Sequence, residues 1–195
     1  MGVPRQSVRA ATVATLELYA LCMRLAIRAL TLLIFAAAAG ALIAQAQAQP
    51  VGAASGLPLP RFVSLKTDKV VVRIGPNKNH EVKWLYQRAG LPVEITAEFE
   101  NWRRIRDSDG TEGWVYHSLL SGRRTGVVTA RAKDDLIPVY EDADGKSALV
   151  ARLEPGVLGS VKRCNASWCR INGQGFDGWI PQERLWGVYP NEKVD

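Results

Sequence analysis

Reactive side chains are scarce in this 195-residue chain, which contains only three cysteines and two histidines. Cys164 and Cys169 are the two cysteines that follow residue 48, and the histidines, His80 and His117, lie far upstream of both. A cysteine nucleophile needs a neighbouring imidazole, and a zinc site of the finger type needs closely spaced ligand pairs. Neither a serine nucleophile elbow nor a glycine-rich phosphate loop occurs. We therefore predict that the chain is not an enzyme and has no catalytic residues, no metal site and no cofactor.

Concentrated positive charge is also lacking, because no run of Lys and Arg is longer than two residues. The formal net charge is +6, and the first 48 residues hold four Arg and one Glu, so the remainder carries +3. Nucleic-acid binding depends on many phosphate contacts, and we expect no nucleic-acid partner. Residues 61–125 hold 12 basic and 8 acidic side chains, which is compatible with attraction to an anionic polymer and equally with a solvated surface.

The chain has no apolar run of the roughly 20 residues that a membrane-spanning helix needs. Its apolar stretch, residues 29–44, is 16 residues long, follows Arg24 and Arg28, and leads into the sequence QAQAQ. An apolar segment of this length behind basic residues is typical of a helical secretory signal sequence. We predict such a signal over residues 1–48.

Small side chains at the end of the apolar stretch place the expected cleavage after Ala46 or Ala48. Met23 is a candidate for the true start, because few signal sequences carry so long a prefix. An uncleaved membrane anchor is the alternative. The signal predicts a protein exported to the periplasm or cell envelope, with membrane contact only through the signal sequence before cleavage.

An internal duplication follows the signal. Gly and Trp carry most of the information in it, because Gly marks turns with unusual backbone angles and Trp marks large packing sites. The residues that recur at an offset of 65 or 66 positions are Gly90 with Gly156, Trp102 with Trp168, Arg104 with Arg170, Ile105 with Ile171, and Gly113-Trp114 with Gly178-Trp179. The duplication predicts two copies of one small domain.

Each copy contains short stretches of strand-forming residues separated by Gly, Asn, Asp and Pro. The sequence has no long helical period after the signal, so we predict an all-β fold of two tandem small barrels. The predicted organisation is a linker over residues 49–60, repeats over 61–125 and 126–190, and a tail over 191–195. The linker, QPVGAASGLPLP, has a composition that favours extended or flexible backbone.

The first copy resembles a bacterial SH3-like domain, whose pattern is a strand ending in Val-Arg-x-Gly-Pro, a Gly-led strand, a Trp-x-x-Ile segment and a Gly-Trp-Val segment. The matching residues are Val72, Arg73, Gly75, Pro76, Gly90, Trp102, Ile105, Gly113, Trp114 and Val115. The second copy is more divergent. The signal, linker and tandem repeats together are similar to exported SH3-domain-containing proteins of alphaproteobacteria. This resemblance implies five-stranded barrels, a cell-envelope location and a binding role without catalysis.

The second copy also resembles eukaryotic SH3 domains at two positions of their ligand groove. Trp168 stands at the groove Trp and Pro181 at the groove Pro, whereas Arg184 stands where the groove Tyr is expected. In the first copy, Trp102 matches the groove Trp, but Tyr116 replaces the Pro. Recognition of proline-rich ligands is therefore not expected.

Strand alternation suggests where a ligand binds. Along the segment Trp102 to Arg106, residues 102, 104 and 106 share one face and residues 103 and 105 the other. Ile105 belongs inside, so the Trp and two Arg are predicted to be exposed, a combination enriched at binding surfaces. The alternative is that each Trp closes the end of its barrel. The residues predicted to bind ligand are Trp102, Arg104, Arg106 and Tyr116 in the first repeat and, more weakly, Trp168 and Arg170 in the second.

Cys164 and Cys169 flank a predicted four-residue hairpin turn, so they can face one another across two strands. Export to an oxidising compartment would permit a disulfide between them. We predict this bridge, which would hold the turn that carries Trp168.

Two functional hypotheses follow from the sequence. The first is a non-catalytic cell-envelope module that binds peptidoglycan peptide, an envelope polymer or a protein partner. The second is a structural or regulatory partner that positions an envelope enzyme in trans, without binding the wall itself.

Overall fold

A computed structural model describes residues 49–129 and 135–195 of the chain, which form two antiparallel β-sheets. The strands of the first sheet are β1 (Arg61–Leu65), β2 (Val70–Arg73), β3 (Val82–Tyr86), β4 (Pro92–Phe99), β5 (Trp102–Arg106), β6 (Glu112–Tyr116) and β7 (Leu120–Ser121). Those of the second are β8 (Thr125–Val128), β9 (Ile137–Tyr140), β10 (Leu149–Leu153), β11 (Leu158–Asn165), β12 (Trp168–Gly173), β13 (Phe176–Pro181), β14 (Leu185–Trp186) and β15 (Lys193–Val194). The predicted all-β class is confirmed. The predicted signal over residues 1–48 lies outside the described residues.

The two sheets have the same topology. Their strand orders are β3-β2-β6-β5-β4-β1-β7 and β10-β9-β13-β12-β11-β8-β14, which become identical when seven is added to each number of the first. Single-turn 3-10 helices occupy equivalent places, His117–Leu119 before β7 and Gln182–Arg184 before β14. The duplication seen in the sequence is therefore a duplication of the fold. Each sheet has more than the five strands implied by the resemblance, with seven in the first and eight in the second.

The repeated glycines have conformational and steric causes. Gly90 and Gly156 have φ angles of +78° and +85°, a region that side chains other than Gly rarely occupy. Gly113 lies against β2, where an added Cβ would stand 2.4 Å from Val72 Cγ1. These matches were the strongest signal of the duplication, and the structure explains why both copies need them.

Each repeat has its own apolar core. Ile105 and Ile171, at equivalent positions of β5 and β12, are fully buried, as strand alternation predicted. Burial of one such side chain contributes about 1.5–3 kcal/mol. The other fully buried side chains of the two cores are Leu65, Val70, Val72, Val93 and Val115 in the first and Val128, Ile137, Val139, Cys169 and Ile180 in the second.

The segment at residues 49–60 is folded, which corrects the flexible backbone that its composition indicated. Val51 forms a bridge with Pro58, and the backbone N–H of Gly52 donates to the carbonyl of Leu57 at 2.8 Å. The segment is also fastened to Glu98 of β4, whose carboxylate accepts hydrogen bonds from it. A partner 43 to 44 residues away thus orders a stretch that has no periodic pattern of its own.

The end of the chain also joins the sheet. Residues 191–195 were predicted as a tail, but β15 pairs with β11, with Val194 opposite Cys164.

No helix among residues 49–129 and 135–195 is long and apolar enough to cross a lipid bilayer.

Hydrogen bonds join the two repeats to each other. The hydroxyl of Thr125, which begins β8 of the second sheet and so belongs to the second repeat instead of ending the first, donates to the carbonyl of Gly90 at 2.7 Å. The indole N–H of Trp186 donates to the carbonyl of Pro92 at 3.2 Å. Both acceptors belong to the first repeat, so the second repeat packs directly on β4 and the turn before it.

Candidate functional site

The predicted binding face of the first repeat is largely closed. Trp102 is only 8% exposed, so the prediction that it lies open on the surface is wrong. Its neighbour across the strands is Tyr116, whose ring meets the indole edge to face at 5.5 Å, and His117 packs on that tyrosine at 5.1 Å. Strand alternation gave the correct face of β5, but the Trp is buried there against the ring of Tyr116. This agrees with the alternative that Trp102 closes its barrel.

The arginines of β5 are each paired with a carboxylate. Arg104 forms an ion pair with Glu112, and its side chain is 48% exposed. Arg106 donates from Nε and Nη2 to one oxygen of Glu94, at 2.8 and 2.5 Å. Because the indole of Trp102 is buried, it does not form a common open surface with these guanidinium groups.

The equivalent tryptophan of the second repeat is more open. Trp168 is half-buried and meets the ring of Tyr140 edge to face at 5.9 Å. Gly145 lies beside the ring, where an added Cβ would stand 3.2 Å from its Cη2 atom. Arg170, two residues further along β12, pairs with Asp177 at 2.8 Å.

The predicted disulfide between Cys164 and Cys169 is present, with an S–S distance of 2.01 Å. The two residues are directly opposed on β11 and β12, and both are buried. The turn they flank has two residues between the strands instead of the predicted four, because Asn165 and Trp168 belong to the strands. The Asn165 side-chain oxygen accepts the N–H of Trp168 at 2.9 Å, so the bridge and this cap both hold the turn beside Trp168.

A groove of about 820 Å³ opens between the two repeats. Arg106 lines it from the first repeat and Trp168 from the second, so the structure brings together two of the six predicted ligand residues. Trp102, Arg104, Tyr116 and Arg170 are not among its lining residues. The groove is lined by Phe62, Glu94, Arg106, Ala166, Ser167, Trp168, Pro181, Gln182, Glu183, Leu185, Trp186, Val188, Tyr189, Pro190 and Asn191.

Aromatic rings from both repeats form one wall of the groove. The ring of Phe62, on β1, lies 5.1 Å from that of Trp186 and 4.7 Å from that of Tyr189. Phe62 is buried, whereas the other two rings are partly exposed. Packed aromatic groups of this kind present rigid contact surface to a ligand.

Glu94 links the two repeats beneath these rings. It is 3% exposed, and its second carboxylate oxygen accepts the hydroxyl of Tyr189 at 2.9 Å. Burial, followed by the hydrogen bond and charge of Glu94, raises the pKa of Tyr189 well above its usual value, so the phenol stays protonated as a donor. The carboxylate therefore holds Arg106 of its own repeat and Tyr189 of the other at fixed positions.

The sequence analysis did not predict four of the groove residues, namely Phe62, Glu94, Trp186 and Tyr189. A signal for the last two was present, because LWGVYP at residues 185–190 is rich in aromatic residues. In the first repeat, β7 has Ser121 where β14 has Trp186. The second repeat thus has an aromatic residue where the first has Ser, and this residue forms part of the groove wall.

Metal-binding side chains are dispersed in the described parts of the chain, where no three His, Cys, Asp or Glu residues are grouped to hold an ion. The two cysteines that follow the predicted signal are bonded to each other.

Comparison with known proteins identifies one family. A sequence model described as "Bacterial SH3 domain" matches residues 66–122 and 133–187. A search of curated proteins gives no match. Among solved structures, NlpC2 and NlpC1 from Trichomonas vaginalis are 13% and 15% identical, with TM-scores of 0.29 and 0.28 over 65% and 69% of this chain. This chain covers 48% of each of theirs, about half their length. Similarity at this level bears on neither the site nor its ligand.

Proposed function

The chain belongs to the bacterial SH3 domain family, and from this premise we propose that it is a non-catalytic binding module of the cell envelope. Domains of this family are typically cell-wall binding modules. The ligand that we propose is peptidoglycan, through its peptide, with another envelope polymer or a protein as alternatives. The described residues form two copies of the domain packed as one body, which suits a role in recognition.

The observation that carries this proposal is the open groove beside Trp168. Its volume of about 820 Å³ lies within the roughly 300–1,000 Å³ usual for ligand sites, and such sites are mostly apolar with a few placed polar groups. Trp168, Pro181 and Trp186 supply the apolar surface. The equivalent Trp102 of the first repeat is covered, so we place the principal site in the groove and leave the exposed Arg104 with the half-buried Tyr116 as a secondary candidate.

The disulfide supports an extracytoplasmic location. Bridges such as Cys164–Cys169 persist in oxidising compartments and are rare where thiols are kept reduced. Together with the signal predicted over residues 1–48, this favours export to the periplasm or another oxidising part of the envelope.

Co-sedimentation with purified peptidoglycan sacculi tests the proposal. The protein from Gln49 onward is expected to pellet with sacculi, and Trp168→Ala is expected to reduce its retention at least about tenfold, as loss of a central aromatic anchor does. Trp102→Ala is the matched control, since it removes a buried indole outside the groove. It should lower stability by about 3 kcal/mol or more but leave retention of the folded fraction unchanged.

If the unchanged protein stays in the supernatant, direct wall binding is wrong. The second hypothesis, a partner that positions an envelope enzyme in trans, would then be the better account.

A further inference from the structure

The groove contains parts that neither repeat supplies alone. Its first-repeat side consists of Phe62, Glu94 and Arg106, and its second-repeat side includes Trp168 and Trp186. The contact between Glu94 and Tyr189 and the aromatic contacts of Phe62 fix the two sides relative to each other. Without either repeat, the remaining side of the groove would be open to solvent.

The charged side chains that line the groove have partners of opposite charge. Arg106 is bound to Glu94, and Glu183 lies 3.7 Å from the guanidinium of Arg184, which also pairs with Asp135 at 3.1 Å outside the groove. The groove therefore offers no net positive charge to an acidic polymer, although the first repeat as a whole is basic. Electrostatic complementarity favours a ligand without net charge at this place.

Arg106 still has hydrogen-bonding capacity. A guanidinium carries five N–H donors, and Glu94 accepts two of them, one from Nε and one from Nη2. The side chain is 44% exposed on the groove. Its orientation is set by the buried carboxylate, so the remaining donors need little ordering before they meet an acceptor such as a peptide carbonyl.

We propose that the groove is one composite site, incomplete in either repeat, for an extended stretch of peptide without net charge. This inference rests on the proposed function and adds the contribution of the first repeat and the charge of the ligand. Aromatic-lined grooves hold extended peptides by packing on the rings while a few polar groups bind the backbone. Here Trp168 and Trp186 provide the rings, and Arg106 provides the backbone donor. Glu94 acts as a positioning residue.

A double-mutant cycle on the protein from Gln49 onward tests whether the site is composite. Retention on sacculi is measured for Arg106→Ala, Trp168→Ala and both together, with Arg152→Ala as the control because its side chain is exposed and lies outside the groove. Each single groove variant should weaken retention at least about tenfold. The double variant should lose less than the product of the two, because both residues bind one ligand.

Arg106→Ala leaves the buried Glu94 carboxylate without its cation, so a second variant separates binding from folding. Arg106→Ala combined with Glu94→Gln removes both charges and leaves Tyr189 a carbonyl oxygen to donate to. The melting temperature of this double variant should be close to that of the unchanged protein, while its retention on sacculi should still fall at least about tenfold. If either Arg106 variant is retained normally while Trp168→Ala is not, the site belongs to the second repeat alone. The composite site is then wrong, and the proposed function stands.

Two further arms test the ligand class. Sacculi from which an amidase has removed the peptides should no longer retain the protein. Normal retention on the remaining glycan would contradict the proposal that the ligand is a peptide. Excess poly-L-glutamate should not compete, and raising NaCl from 50 to 500 mM should change retention less than about threefold, because salt screens exposed charges. Competition by poly-L-glutamate would contradict the prediction that the ligand carries no net charge. If the unchanged protein fails to bind intact sacculi, the proposed function and this inference both fall.

Discussion

Protonation of Glu98 at low pH is expected to destabilise the folded protein. Its side chain is 1% exposed and accepts hydrogen bonds from the hydroxyl of Ser55 at 2.7 Å, from the N–H groups of Ser55 and Ala54 at 2.9 and 3.1 Å, and from Arg61 at 2.7 Å. Arg103 adds an ion pair at 3.2 Å. One carboxylate therefore fastens the start of the described chain to β4.

The ionised form of Glu98 is strongly favoured in the folded protein. Burial, the largest influence, opposes ionisation, but the hydrogen bonds from Ser55 and Arg61 and the charge of Arg103 outweigh it and lower the pKa from 4.5 to about 2. This displacement corresponds to about 3 kcal/mol of stabilisation. Because the folded pKa lies below the unfolded one, that stabilisation is complete above about pH 5 and is lost as the pH falls toward 2.

The test compares urea unfolding of the protein from Gln49 onward with that of Glu98→Gln, at several pH values from 7 to 2. The difference in unfolding free energy between the two should narrow by about 3 kcal/mol across this range. Glu192 and Asp144 also have lowered pKa values, but they occur in both proteins and cancel in the difference. Glu81→Gln, at an exposed position, is the control and should show no such narrowing. A difference that stays constant with pH would refute the assignment of the charge to Glu98.

Two further predictions concern the cores. Replacing both Cys164 and Cys169 with Ser should lower the unfolding free energy by roughly 2 kcal/mol, since so short a loop constrains the unfolded chain only slightly; identical urea midpoints for the two proteins would contradict this. Gly113→Ala should destabilise by about 1–3 kcal/mol, because its Cβ would stand 2.4 Å from Val72 Cγ1. Gly122→Ala, with open space around it, is the matched control, and equal melting temperatures for the two variants would contradict the steric argument.

The features that the sequence predicted correctly depend on local rules. Matching Gly and Trp residues showed the duplication because both copies need the same turns and close approaches. Strand alternation placed Ile105 and Ile171 inside because side chains of a strand point alternately to its two faces. The pairing of Cys164 with Cys169 followed from their positions on either side of a short turn.

The features that it missed depend on contacts between distant residues. Alternation gives the face of Trp102, but not that this side chain is buried against the ring of Tyr116. Composition made residues 49–60 look flexible, because the partner that orders them, Glu98, is far along the chain.

The groove could not be predicted by treating the two repeats as equivalent. Duplication predicts two similar sites, one at each repeated Trp, and neither Trp has the surroundings that this symmetry would give. Trp102 is covered within its own repeat, while Trp168 faces a wall formed by Trp186 and Tyr189, which lie where the copies have diverged. The contact between Tyr189 and Glu94 then brings the paired Arg106 of the first repeat to the same place. The residues that differ between the copies, more than those they share, therefore locate the candidate site.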